Sequence, residues 1–269
     1  MGMTSCTERI DIDLDGTYTR CVVYGEITTD TTSHKVIITR SANYFSNTTA
    51  EGISGANVSI NDGQQEFILS EDPLSPGTYL TQPNVFGVEG KTYTLIIDNV
   101  DLLNNGEMKS YTASSFLPPV NEPDSIKVIY RPEWRGWVVQ AFALDSANRK
   151  DFYMFHTWLN GVLETDSLST RITADDLFFN GSYTNGITIK YWEGQETLLP
   201  GDTIVAGFCG ITQNYYKFID EVRATIRPSS PLFSAPPANP RTNISNNAIG
   251  FFAAYSLKRS TYIIPPIPE

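Results

Sequence analysis

Short stretches of alternating apolar and polar residues, separated by turn dipeptides, recur along this chain, and long helical periodicities are scarce. Alternation with period two places successive side chains on opposite faces of a strand, so these stretches predict half-buried β-strands. Asp62-Gly63 separates Val58-Ser59-Ile60 from Phe67-Ile68-Leu69, and Asn160-Gly161 separates residues 155–159 from Val162-Leu163. Both dipeptides tolerate the positive φ of a tight hairpin turn. Asn185-Gly186 precedes a further strand over residues 187–192, and residues 21–27, 34–39, 93–97 and 126–130 read as others. Strands this short at this spacing predict an all-β fold built of sandwiches.

One segment departs from this pattern. Tyr215, Phe218, Ile219, Val222 and Ile226 recur every three or four residues, which predicts a single amphipathic helix near 212–227. Pro228 ends it, and Pro231, Pro236, Pro237 and Pro240 make residues 228–240 an irregular connection. The proline-stiffened run Pro118-Pro119-Val120-Asn121-Glu122-Pro123 is the expected boundary between two strand-rich blocks. The expected organisation is a tether over 1–19, a first β-sandwich over 20–119, and a second over 120–269 that carries the helix and a proline-rich C-terminal region.

Composition narrows the function. Of 269 residues, 41% are hydrophobic and 12% aromatic, enough for a large core and too much for a disordered chain. Nineteen basic side chains face thirty acidic ones, a net charge of −11. A nucleic-acid binder needs a basic face that releases counterions, so nucleic acid is excluded as a partner. The same sign disfavours a polybasic contact with anionic lipid. Residues 1–119 hold 6 basic and 15 acidic side chains (−9) and residues 120–269 hold 13 and 15 (−2), so the acidity belongs to the first block. No run approaches the ~18 apolar residues of a membrane helix.

Cys6, Cys21 and Cys209 form no CxxC pair, and His34 and His156 are the only histidines. Neither a cysteine-rich zinc site nor an HExxH site can be assembled from them, and no P-loop, Gly-x-Ser-x-Gly elbow or Gly-x-Gly-x-x-Gly occurs. No metal and no cofactor is expected. Asp11-Ile12-Asp13-Leu14-Asp15-Gly16 imitates the opening of a calcium loop, but Val22 stands where the closing glutamate belongs.

Several motifs then fall in an order that resembles a known family. They are the N-terminal Thr-Ser-Cys-Thr-Glu-Arg-Ile-Asp-Ile-Asp-Leu, Gly55-Ala56-Asn57-Val58-Ser59-Ile60, Pro76-Gly77-Thr78-Tyr79-Leu80, Asn160-Gly161-Val162-Leu163, Leu199-Pro200-Gly201-Asp202-Thr203 and Gly250-Phe251-Phe252. Together they resemble the Bacteroidetes lipoproteins grouped as domain of unknown function four-two-four-nine (DUF4249). The Gly-Ala-x-Val and Pro-Gly-x-Tyr elements also resemble transthyretin-like or carboxypeptidase-regulatory modules of outer-membrane receptors. That resemblance implies an immunoglobulin-like first sandwich. The family resemblance implies a cell-envelope protein on the outer membrane, surface-exposed or facing the periplasm, that assists a TonB-dependent transporter.

Cys6 is the sharpest candidate residue. Met3-Thr4-Ser5-Cys6 resembles the end of a bacterial lipoprotein signal, where the cysteine takes acyl chains, and a lipid there would be the only membrane contact. Trp134, Arg135, Trp137, Tyr191 and Trp192 are the candidate ligand-binding residues, an aromatic platform for stacking a sugar or a peptide; the competing reading packs the tryptophans in the second core. His156, in a stretch apolar on both faces, reads as a hydrogen-bonded structural residue, and His34 as the start of an exposed strand. Asp175-Asp176, adjacent and so on opposite faces of a strand, does not form a catalytic pair, and Thr173 to Asp176 reads as a turn or helix cap. The expectation is a non-enzymatic lipoprotein that helps a transporter capture its ligand. The alternatives are a glycan-binding surface adhesin and a carboxylate-based hydrolase.

Overall fold

A computed structural model of the chain describes residues 19–41, 50–194, 198–226 and 239–266. The first half contains β1 (Cys21–Thr28), β2 (Lys35–Arg40), β3 (Asn57–Asn61), β4 (Glu66–Glu71), β5 (Thr78–Leu80), β6 (Thr92–Asp101) and β7 (Met108–Phe116). Residues 117–124 carry no regular structure. Next come β8 (Ser125–Arg131), β9 (Gly136–Phe142), β10 (Phe152–Leu159), β11 (Val162–Leu163), β12 (Ile172–Asp175), β13 (Ile187–Glu193) and β14 (Thr203–Gly210). The helix α1 (Gln213–Ile226) and the long strand β15 (Ile249–Ile263) complete the described elements. The fold is all-β with one helix, as the alternation and the single 3.6-residue periodicity predict.

Twelve strands form one continuous hydrogen-bonded sheet, ordered β11-β10-β14-β15-β1-β2-β5-β4-β3-β6-β7, with β12 also on β10; β8, β9 and β13 form a second sheet. Strand β15 joins the two halves of the large sheet. Its first part pairs in parallel with β1, Val22 opposite Ile249 through Thr28 opposite Tyr255, and its second part pairs antiparallel with β14 from Ser256 to Ile263. Parallel neighbours need a crossover. Here the connection is most of the chain, residues 29–248.

Three cores follow from the faces of this sheet. The first buries Cys21, Val23 and Ile27 of β1 with Tyr93, Leu95 and Ile97 of β6, and takes Ile244, Ala248, Phe252 and Ala254 from the C-terminal segment. The second lies between the three-stranded sheet (Val128, Val139, Ile189, Trp192) and Tyr153, Phe155, Ile204 and Phe208 of the large sheet. The third lies on the opposite face of the same strands, where α1 brings Tyr215, Phe218 and Ile219 onto Met154, Cys209, Phe251, Ala253 and Tyr255. Strand β15 is buried from Phe251 to Leu257 because it is central and covered on both faces. Its even residues Phe252 and Ala254 enter the first core and its odd residues Phe251, Ala253 and Tyr255 the third.

Local motifs explain other joints. Asn160 and Gly161 both have positive φ at the β10–β11 turn, and Gly63 does at the β3–β4 turn. The Gly-Ala-x-Val and Pro-Gly-x-Tyr motifs meet through Tyr79, whose hydroxyl donates to Ile53 O at 2.8 Å and accepts from Ala56 N at 3.0 Å. Two sequence expectations need correction. Thr173–Asp175 are strand rather than turn or cap, because they pair with Phe152–Met154 of β10, and the turn starts only at Asp176, whose carbonyl accepts from Phe179 N and Asn180 N. His34 is buried rather than exposed, with its Nε2 3.1 Å from Val85 O.

Candidate functional site

The period-two alternation of β1 sends Val23 and Ile27 into the first core and Tyr24 and Glu26 to the opposite, helix-covered face. There Glu26 meets Tyr24 of its own strand and residues from three other parts of the chain. Arg171, just before β12, donates from Nη1 to Glu26 Oε1 at 2.5 Å, to Tyr24 Oη at 2.7 Å and to Tyr215 Oη of α1 at 2.7 Å. The Tyr215 hydroxyl donates to Glu26 Oε1 at 2.8 Å, and the Tyr255 hydroxyl of β15 donates to Oε2 at 3.2 Å. The Tyr24 hydroxyl also bonds Glu26 Oε1. One carboxylate and one guanidinium therefore tie β1, β12, α1 and β15 together.

The electrostatics fix the protonation states. Burial opposes ionisation of Glu26, but the adjacent Arg171 guanidinium and its hydrogen bonds outweigh burial and hold the carboxyl at about 2. Burial and the neighbouring Glu26 charge raise Tyr215 and Tyr255 well above an ordinary phenol. At neutral pH the cluster is a carboxylate and a guanidinium surrounded by neutral hydroxyls. None of these groups changes protonation there, which suits a clamp rather than an acid–base catalyst.

His156 of β10 lies beside the clamp, with Nδ1 3.0 Å from Thr165 Oγ1 and Nε2 3.4 Å from Tyr255 Oη. Both of its ring nitrogens are engaged, as the structural reading of this histidine requires. Burial, and then the positive field of Arg171, pull its imidazole from 6.5 down to about 4. The facing charges are Glu26 and Asp30, which oppose the shift, and Arg259, which adds to it. In the unfolded chain the ring takes up a proton near 6.5, whereas in the folded chain it stays neutral to about 4. Stability is therefore fully present above pH 6.5 and declines as the pH falls toward 4, by about 3 kcal/mol in total from this group. Urea midpoints measured from pH 7 to 4 should fall in the native protein and flatten in His156→Gln. The Glu26 contribution is lost only below pH 4.5, its ordinary value, so the two windows separate.

Next to the clamp is a cavity of about 230 Å³ lined by Glu26, Asp30, His34, Lys35, His156, Trp158 and Arg171. Asp30 is held by Arg259 through two bonds of 2.7 and 2.5 Å, and the Arg259 guanidinium sits 5.1 Å from the Trp158 ring centre. The acidic and basic groups around this opening are thus largely matched.

The five aromatic-platform candidates divide between two environments. Trp134 (55% exposed) and Tyr191 meet edge-to-face at the β8–β9 turn with ring centres 6.3 Å apart, and the Tyr191 hydroxyl donates to Trp134 O. Arg135 is exposed in the same turn with φ 50°, and its carbonyl accepts from Gly194 N at 2.8 Å. Trp192 is buried in the second core, and Trp137, opposite it in register, packs against that core and lies 5.4 Å from Tyr130. The structure brings Trp134, Arg135 and Tyr191 together at the surface and places Trp137 and Trp192 inward. Cys6 and the segment 11–16 lie outside the described residues.

A second polar cluster joins the loops of the second half. The Tyr153 hydroxyl bonds Asp145, Asp151 N donates to Asp176 Oδ2 at 2.7 Å, and Arg149 Nε bonds both oxygens of Asp151 at 2.6 and 2.8 Å. Burial raises the Asp151 carboxyl against the pull of Arg149. Cys21 and Cys209 are free, buried thiols, and burial pushes Cys21 up to about 12, so neither is a ready nucleophile. Among the described residues no group of three or more His, Cys, Asp or Glu is arranged to hold a metal ion, and no helix is long and apolar enough to cross a membrane.

Sequence reasoning missed the clamp. Tyr215 counted only as part of the apolar helix face, and Glu26 only as the polar member of an alternating strand. A lone carboxylate between β-branched and aromatic residues on β1 was the one available signal.

The fold and its clusters define a class: an all-β scaffold in which buried ionisable groups serve as joints between layers. Within that class, the chain belongs to the family described as a domain of unknown function, DUF4249, whose model matches residues 7–261. No curated protein matches the chain.

Proposed function

We propose that this is a non-enzymatic cell-envelope lipoprotein, held on the outer membrane through acylated Cys6, that assists a TonB-dependent transporter in ligand capture. The observation that carries this reading is the family match, which opens one position after Cys6 and runs through both halves of the fold. Acyl chains contribute ~0.8 kcal/mol per buried methylene, and holding the protein beside a transporter raises the effective concentration of any weak contact between them. Tied carboxylates at Glu26 and Asp151 support a binding role over a hydrolytic one.

The test is lipid labelling and membrane fractionation of the native protein and Cys6→Ala, followed by cross-linking in intact cells. The native protein should carry label, stay with membranes and capture a transporter repeatedly, and Cys6→Ala should be unlabelled and released. Membrane retention of Cys6→Ala, or capture that never includes a transporter, would overturn the reading.

The exposed Trp134–Tyr191 pair beside Arg135 favours a second reading, a glycan-binding surface module. On that reading Trp134→Ala lowers affinity for the glycan roughly tenfold or more in calorimetric titration, with little change in thermal midpoint. Unchanged glycan affinity in Trp134→Ala would remove this reading.

A further inference from the structure

Strand β4 changes partners along its length. Val58–Asn61 of β3 pair with Glu66–Leu69 on one side, whereas β5 reaches only Ser70 and Glu71 on the other. After Leu80 the chain turns away from β4, since Thr81 N donates to His34 O, Thr32 N to Val85 O and Gly87 N to Thr28 O. The outer edge of residues 66–69 consequently has no backbone partner among the described residues. A groove of about 710 Å³ runs along this edge, between β4 and residues 82–88. Its lining includes Ile68 (64% exposed), Phe86 (50%) and Val88 (41%), with Glu66, Gln82 and Asn84 as polar companions.

The opposite edge of this half is treated differently. On β7, Thr112 O accepts from Ser245 N at 2.8 Å, Thr112 N donates to Ser245 Oγ at 2.8 Å, and Ser114 O and Ser110 O accept from Asn243 and Asn246 side chains. An unprotected strand edge is a template for another strand, and natural sheets cover or charge such edges. One edge here is covered, and the other opens into a groove already shaped by hydrogen bonds.

We propose that the β4 edge is a docking site for an extended segment of a partner protein, neutral or basic and apolar at alternate positions, which adds a strand beside residues 66–69. Backbone bonds to the edge would supply register, and Ile68, Phe86 and Val88 would receive alternate side chains. Charge selects the occupant. Asp62 is neutralised by Lys91 at 2.6 Å, whereas Glu66 has no cationic partner among the described residues and accepts only from Ser59 Oγ at 2.7 Å. A basic side chain on the incoming strand would complete Glu66. A second copy of this chain is disfavoured as occupant because it would bring one −9 half against another. The groove's chemistry is independent of where the protein is anchored, so the inference stands whether or not the lipoprotein reading holds.

The experiment uses the full chain and fluorescein-labelled eight-residue peptides that alternate threonine with valine, leucine or phenylalanine and carry one central lysine. Fluorescence anisotropy should show saturable binding by members of this panel. Glutamate in place of the lysine should weaken it at least tenfold, and N-methylation of alternate peptide nitrogens should abolish it. Glu66→Lys should reverse the lysine–glutamate preference, and Ile68→Ser should weaken binding at least tenfold with the thermal midpoint unchanged. Amide exchange at residues 66–69 should slow when peptide is bound. Absence of saturable binding across the panel would overturn the proposal, as would binding indifferent to N-methylation. So would a dimer in sedimentation that Ile68→Ser disperses, which would assign the edge to a second copy.

Discussion

Arg171→Ala should destabilise the protein by about 3–5 kcal/mol, the range for removing one partner of a buried ion pair. The Arg171 side chain is 5% exposed and bonds Glu26, Tyr24 and Tyr215. Without it, the Glu26 carboxylate remains among phenols and apolar side chains with no counter-charge. The cost is chiefly that stranded charge, so the double variant Glu26→Gln/Arg171→Met should recover much of the loss. Urea denaturation of Glu26→Gln, Arg171→Met and the double variant measures the coupling. Additive losses would show that Glu26 and Arg171 act independently and would dismiss the clamp. The pH response gives a second readout: with Arg171 removed, burial raises the Glu26 carboxyl instead of Arg171 holding it near 2, so the stability that Glu26 loses below pH 4.5 in the native protein should no longer be lost on acidification.

Gly250→Ala should have a comparable or larger effect for a steric reason. Gly250 has φ +104°, and a Cβ there would sit 1.9 Å from Val23 O, the backbone of the neighbouring β1. No rotamer relieves a contact between Cβ and a backbone carbonyl, so β15 and β1 would have to separate where they first pair. A loss of more than about 3 kcal/mol is expected, seen as a lowered urea midpoint or as failure to recover folded protein. Gly63→Ala is the control, since Gly63 also has positive φ (+89°) but a Cβ there meets nothing within 4 Å. It should cost only about 1 kcal/mol, the conformational part alone. Equal losses at the two positions would show that close approach to Val23 is not what matters at Gly250.

These two positions mark the limit of what the sequence discloses. Hairpins held by adjacent residues were readable, because Asp62-Gly63 and Asn160-Gly161 carry their turn chemistry between the strands they join. The helix was readable because Tyr215, Phe218 and Ile219 recur with its period, and it spans Gln213–Ile226 against the expected 212–227. The pairing of β1 with β15 was not readable. Its partners lie more than 200 positions apart, no turn joins them, and Phe251–Leu257 is buried on both faces and so lacks alternation. The clamp was hidden for the same reason, since Glu26, Arg171, Tyr215 and Tyr255 converge only after that pairing forms. The aromatic candidates were separated by the same geometry: Tyr191 and Trp192 are adjacent in sequence, and the pleat sends one outward and the other into the core.

The position of β15 in the chain also bears on how the protein reaches its folded state. The strand that completes both the first and third cores is the last of the described elements to leave the ribosome. Until it arrives, β1 lacks its parallel neighbour, β14 lacks one of its two antiparallel neighbours, and Glu26 has no Tyr255. Contacts this distant in sequence form slowly, because a long loop must close before they add any stability. A nascent chain lacking residues 249–263 is therefore expected to remain loosely folded and open to chaperones, and then to set both halves at once when its final strand is inserted.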